Sequence, residues 1–73
     1  MESKFSQKEL KIIQLLCEGF NNSRVAAALR MEPPKVEEHL STIFYKTNTS
    51  TWAELVVFAL RNRLVVLQHE IAI

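Results

Sequence analysis

Two adjacent prolines, Pro33 and Pro34, lie in the middle of a chain whose apolar residues otherwise recur at helical spacing. Proline has no backbone N–H and its ring clashes with the preceding turn, so the pair cannot occupy a helix interior. Its fixed φ does suit a first helical turn, where no intrahelical acceptor is needed. The pair therefore ends one helix upstream and opens another, with Glu32 as the cap. The apolar face of the new helix is Val36, Leu40 and Ile43, and the helix runs over residues 33–46 or so.

Similar punctuation recurs on both sides. Ser6-Gln7-Lys8-Glu9 is a capping box, in which the serine hydroxyl and the glutamate carboxylate each satisfy an orphan N–H, so a first helix begins near Gln7. Leu10, Ile13 and Cys17, flanked by Leu16, would face the core. Gly19, the only glycine, stands where a helix end needs positive φ, so this helix ends near Glu18. Asn21 caps a second helix of about nine residues, whose Val25, Ala26 and Leu29 permit close approach. The joint between the second and third helices is then about three residues. The polar stretch 47–50 closes the third helix, with Asn48 able to take the left-handed conformation. Thr51-Trp52-Ala53-Glu54 is a second capping box that starts a fourth helix, expected from Trp52 to Asn62. Strand alternation competes only in residues 64–67, where the tail is ambiguous.

The expected fold is all-α, a four-helix domain over residues 5–64 with an N-terminal tail, 1–4, and an apolar C-terminal tail, 65–73. A chain of 73 residues has room for one domain, because a core of this size buries only about 60% of the unfolded surface. Its 48% hydrophobic and 23% charged residues are those of a folded domain. The single cysteine, Cys17, excludes an internal disulfide, and no Cys-His cluster has metal-ligand spacing. The expectation is no metal, no cofactor and a cytoplasmic location. No apolar run reaches the roughly 18 residues of a membrane span, and MESKFSQKE is too polar for a secretory signal, so no membrane role is expected.

Cys17 reads as a small buried hydrophobe and His39 as a packed, hydrogen-bonded core histidine. Neither Ser-His-Asp, nor paired acids around a pocket, nor a Gly-rich phosphate loop can be assembled, so an enzyme is not expected. Net charge +1 with a pI near 7.9 does not by itself nominate nucleic acid.

The fourth helix carries more apolar surface than one small core can cover. Trp52, Leu55, Val56 and Ala59 share the face expected to be buried, Val57 and Phe58 point elsewhere, and Leu60 lies at the edge. With Leu64, Val65, Val66, Leu67, Ile71 and Ile73 following, the surplus either folds back or marks an interface. Val57, Phe58, Leu60, Leu64 and Val65 are the candidate dimer or partner surface.

From Phe5 to Val56 the chain resembles the LuxR/GerE-type helix-turn-helix family of bacterial transcription regulators. Phe5-Ser6 and Glu9 match its opening hydrophobic-Thr and Glu, Gly19 and Asn22 its Gly-x-x-Asn, and Val25-Ala26, Leu29 and Met31 its Ile-Ala-x-x-Leu-x-Ile. Val36, His39-Leu40, Ile43 and Lys46 fit Val-x-x-His-Leu-x-x-Ile-x-x-Lys without a gap, and Glu54 and Val56 fit the opening of its fourth helix. The resemblance implies that the third helix enters the major groove of double-stranded DNA and that the fourth helix contributes to a homodimer. By the same resemblance the base-facing positions are Glu37, Glu38 and Ser41. The phosphate-facing set is Asn22, Ser23, Arg24, Lys35, Thr42, Tyr45 and Lys46, whose cations, hydroxyls and amides suit phosphate oxygens.

The chain departs from the family at Glu37, where a lysine is common, and at Glu32, Lys35, Thr47 and Trp52, the last standing where an arginine is common. Two adjacent carboxylates repel phosphates, yet a glutamate also accepts a hydrogen bond from cytosine N4. The acidic third helix leaves a second reading open. In it the helix-turn-helix fold is a protein-interaction module that binds or sequesters another regulator through the third helix or the apolar fourth.

Overall fold

A computed structural model describes residues 4–65. Four helices follow one another, α1 (Gln7–Cys17), α2 (Asn22–Leu29), α3 (Pro33–Thr47) and α4 (Trp52–Arg61), and no strand occurs among the described residues. The all-α expectation holds. The expected boundaries agree to within a residue except at the start of the tail. Leu64 and Val65 are irregular rather than extended, while residues 66 to 73, including the tail positions Val66, Leu67, Ile71 and Ile73, lie outside the described residues.

The helix starts follow the sequence signals closely. Ser6 Oγ accepts the Glu9 N–H at 3.1 Å and Glu9 Oε1 accepts the Ser6 N–H at 3.0 Å, completing the capping box. Asn21 Oδ1 accepts the Arg24 N–H at 2.9 Å. Thr51 Oγ1 accepts the Glu54 N–H at 3.1 Å, but Glu54 Oε1 turns one residue further back and accepts from Ser50 at 2.8 Å. Glu32 occupies the cap of α3 without a side-chain bond; the prolines at the next two positions leave little for a cap to satisfy.

All four helices end in one way. Beyond each, a residue in the left-handed region (Gly19, Arg30, Asn48 or Arg63) reverses the chain. The following N–H then donates back over the turn: Phe20 to Leu15 O, Met31 to Ala26 O, Thr49 to Phe44 O and Leu64 to Ala59 O, at 2.9–3.1 Å. This closure satisfies carbonyls that the helix end would leave unpaired. Phe20, Met31 and Leu64 then pack against the core, so three of the four reversals also place an apolar residue under the helix they close.

The core is Phe5, Ile12, Ile13, Leu16, Val25, Ala26, Val36, Leu40, Ile43, Leu55, Ala59 and Val65. α1 packs on all three other helices, and α2 packs most extensively on α3. The buried stripe of α1 is rotated from the expected one: Ile12, Ile13 and Leu16 are fully buried, whereas Leu10 and Cys17 are only partly covered. Neighbours on both flanks of α1 demand a wider apolar face than a single i, i+3, i+7 line.

Candidate nucleic-acid interface

The helix-turn-helix is the α2–α3 pair. Arg30, Met31 and Glu32 form a joint of the expected length, with Arg30 left-handed at φ 57°. Val25 and Ala26 of α2 and Val36, Leu40 and Ile43 of α3 are buried. Successive residues of a helix are ~100° apart, so Pro34, Glu38, Ser41 and Tyr45 fall on the line opposite that buried stripe. All four are exposed, and Tyr45 is 88% so. Glu37 is exposed on one flank; Lys35 and Thr42 are exposed on the other.

The two helices present their N-termini differently. The first two residues of α3 are prolines, and the Lys35 and Val36 amides both donate to Glu32 O, at 2.9 and 3.3 Å. The tip of α3 therefore offers an anion no free backbone donor. At α2 the cap takes the Arg24 N–H, and the amides of Asn22 and Ser23 keep no acceptor among the described residues. Asn22, Ser23 and Arg24 are all exposed, and the Arg24 guanidinium lies 4.3 Å from the centroid of the Phe20 ring. Trp52 was expected to be buried but is 50% exposed. It lines a shallow hollow with Gly19, Phe20 and the first residues of α2; the buried α4 positions are Leu55 and Ala59.

Three of the expected phosphate-facing side chains are already engaged. Lys35 Nζ lies 3.4 Å from Glu38 Oε1, with both side chains well exposed. Thr42 Oγ1 donates to Glu38 O at 3.3 Å. Lys46 is turned inward: its ammonium donates to Glu9 Oε1 at 2.8 Å and to Lys4 O at 2.7 Å, and it lies over the Phe5 ring. Glu9 is buried, which the capping-box reading did not foresee. Burial pushes its carboxyl up, but hydrogen bonds from Lys46 and Ser6, with the charges of Lys46 and His39, bring it below its ordinary value of 4.5. Lys46 is thus a structural cation in this fold. Without it the outer face of α3 sets the single ammonium of Lys35 against the carboxylates of Glu37 and Glu38.

Arg30, absent from the sequence-derived set, adds an exposed cation at the joint. Nothing in the residue pattern separated it from an ordinary surface arginine, because its position depends on an unpredicted left-handed turn.

The candidate dimer surface divides. Val57 and Leu60 are exposed, at 52% and 41%. Phe58 and Leu64 are partly buried against the core, and Val65 belongs to the core itself. Val65 is therefore corrected from interface to interior, and the packed domain reaches past its expected end. The chain reversal at Arg63 is what returns Leu64 and Val65 to the bundle. His39 is partly buried beside the Glu9 pair. Cys17 is also partly buried, and burial together with the neighbouring Glu18 carboxylate pushes its thiol up, which keeps it protonated and poorly reactive. Among the described residues no group of His, Cys, Asp and Glu could hold a metal ion, and no helix is long and apolar enough to cross a membrane.

Comparison with known proteins covers α1 to α3 and most of α4. The family model described as bacterial regulatory proteins, luxR family, matches residues 3–59. The probable transcriptional regulator ycf29 of Cyanophora paradoxa is 37% identical over 65 residues, which cover 89% of this chain and 31% of that protein. The response regulator Rre1 of Synechocystis sp. is 37% identical over 60 residues, 82% of this chain and 26% of its own length. The chain thus spans only 26–31% of these two regulators. Among solved structures, the transcription factor GerE superposes with a TM-score of 0.85 at 22% identity, covering 92% of this chain and all of that one, a likeness of fold.

Proposed function

The chain belongs to the luxR family of bacterial regulatory proteins and carries its helix-turn-helix domain, and from that premise we propose that it binds double-stranded DNA with α3 in the major groove. The observation that carries the proposal is the exposed line Pro34, Glu38, Ser41 and Tyr45 on a helix held from behind by α1 and α2. In this reading Glu37, Glu38 and Ser41 approach base edges. Phosphates are met by Arg24, Arg30 and the Tyr45 hydroxyl, by the free amides of Asn22 and Ser23, and by the Thr42 hydroxyl when it leaves Glu38 O. A second copy docks through Val57 and Leu60 of α4, which sets two α3 helices about 34 Å apart, in successive turns of the groove.

The face is poor in cations, so binding draws on two copies rather than on one. Anisotropy titrations on duplex DNA between ~50 and ~200 mM salt test this, with affinity falling steeply as salt rises. Failure to bind any duplex at low salt, with capture of another regulatory protein instead, would overturn DNA binding in favour of a protein-contact role. Sedimentation of Val57→Asp and Leu60→Asp tests the docking, with loss of dimer expected in each.

A further inference from the structure

We infer that the Lys35–Glu38 couple on the first two turns of α3 reads a C·G base pair, with Glu38 accepting from cytosine N4 and Lys35 donating to guanine O6 or N7. The inference rests on the proposed docking of α3 in the major groove and adds the base chemistry that this chain's own residues select.

Three observations carry it. Glu38 stands opposite the buried stripe of α3, and its side chain is 72% exposed. Lys35 lies one turn earlier with its ammonium 3.4 Å from the Glu38 carboxylate, so a donor and an acceptor are presented side by side as one neutral unit. The pair also sits near the N-terminus of α3, the part of a recognition helix that meets base edges. The tip of that helix has no free amide, so polar readout there falls to side chains.

The chemistry then selects the base pair. In the major groove cytosine offers the N4 amino donor beside the O6 and N7 acceptors of guanine, whereas thymine offers only an acceptor and a methyl group on that side. A carboxylate accepts and never donates, so it is matched by cytosine N4 and repelled by thymine O4, while at adenine the N6 donor stands beside the N7 acceptor, which repels the second carboxylate oxygen. The adjacent ammonium has the converse preference and finds guanine. Pairing within the couple also offsets the repulsion that a lone carboxylate would meet between two phosphate strands. Glu37, on the flank, is paired with no cation among the described residues and has no such complement.

Selection from a random duplex library with the full 73-residue chain, followed by titration of single-base-pair variants of the selected duplex, tests the inference. The expected site has a C·G pair in each half, and its replacement by T·A weakens wild-type binding about tenfold. Glu38→Ala should bind both duplexes equally. Glu38→Gln should shift the preference toward A·T, because an amide both donates and accepts and so matches adenine N6 and N7. Lys11→Ala, on the exposed side of α1, should leave the preference unchanged.

Three results overturn the inference while leaving DNA binding intact: no C·G pair in the selected site, an unaltered C·G preference in Glu38→Ala, or loss of that preference in Glu37→Ala instead. Absence of binding by the wild type to every duplex at low salt overturns the docking proposal itself, and this inference with it. Circular dichroism of each variant separates these results from misfolding.

Discussion

α3 takes part in two lysine–glutamate pairs, one near each end, and they do different work. Lys46–Glu9 closes at 2.8 Å against the core, with side-chain exposures of 29% and 7%. Lys35–Glu38 lies at 3.4 Å on the surface, with exposures of 62% and 72%. The inner pair is bound up with the fold, because Glu9 also completes the α1 cap and Lys46 also holds the Lys4 carbonyl. The outer pair is screened by water and stabilises little. Identical charges thus give the helix a fixed end and a replaceable one, and accessibility decides which is which.

The contrast can be broken most forcefully at Lys46. Lys46→Met leaves a buried carboxylate without its ammonium and should cost about 2–3 kcal/mol, less than for a fully buried pair because Lys46 keeps some solvent. A domain this small holds only about 3–5 kcal/mol, so chemical denaturation should find the variant close to unfolded.

Acid tests the inner pair without mutation. The folded value of Glu9 lies below 4.5, so its contribution is complete above the unfolded value and is lost as pH falls through the folded one. Thermal melts from pH 7 downward should show the wild type weakening below about pH 4.5. In Lys46→Met burial acts on Glu9 with less opposition, so that acid loss should shrink.

At the outer pair the same kind of deletion should barely move stability. Lys35→Ala is expected to stay within about 0.5 kcal/mol of the wild type, while binding to the C·G site should weaken with the slope of log affinity against log salt nearly unchanged, as a base contact implies. A slope that falls by about 1 would instead assign Lys35 to a phosphate. The smallest effect sharpens the comparison: a double-mutant cycle of Lys35→Ala with Glu38→Ala should return a coupling of about 0.3–0.5 kcal/mol, against well over 1 kcal/mol for Glu9 with Lys46.

Much of this architecture was legible before any coordinates. Ser6, Asn21, Pro33 and Thr51 announce where helices begin, since a starting helix needs side chains of particular chemistry. Helix ends were half legible. Gly19 and Asn48 are residues that favour the left-handed region, whereas Arg30 and Arg63 adopt it only because the returning hydrogen bond and the burial of Met31 and Leu64 outweigh a local cost of about 1–2 kcal/mol. The site was legible as a list of residues but not as a surface. Lys46, Trp52 and Val65 each have side chains that suit either water or an interior, and only packing assigns them.

The Glu9–Lys46 contact joins residues 37 apart in the chain, one at the start of α1 and one in the last turn of α3. Both helices must be formed, and water excluded between them, before the attraction can repay the entropy of closing that loop. The contact is therefore a late one in kinetic terms, absent while the bundle is still assembling. Its removal should leave the refolding rate nearly untouched and appear as faster unfolding, so the pair acts as a latch on the finished domain rather than as a guide to it.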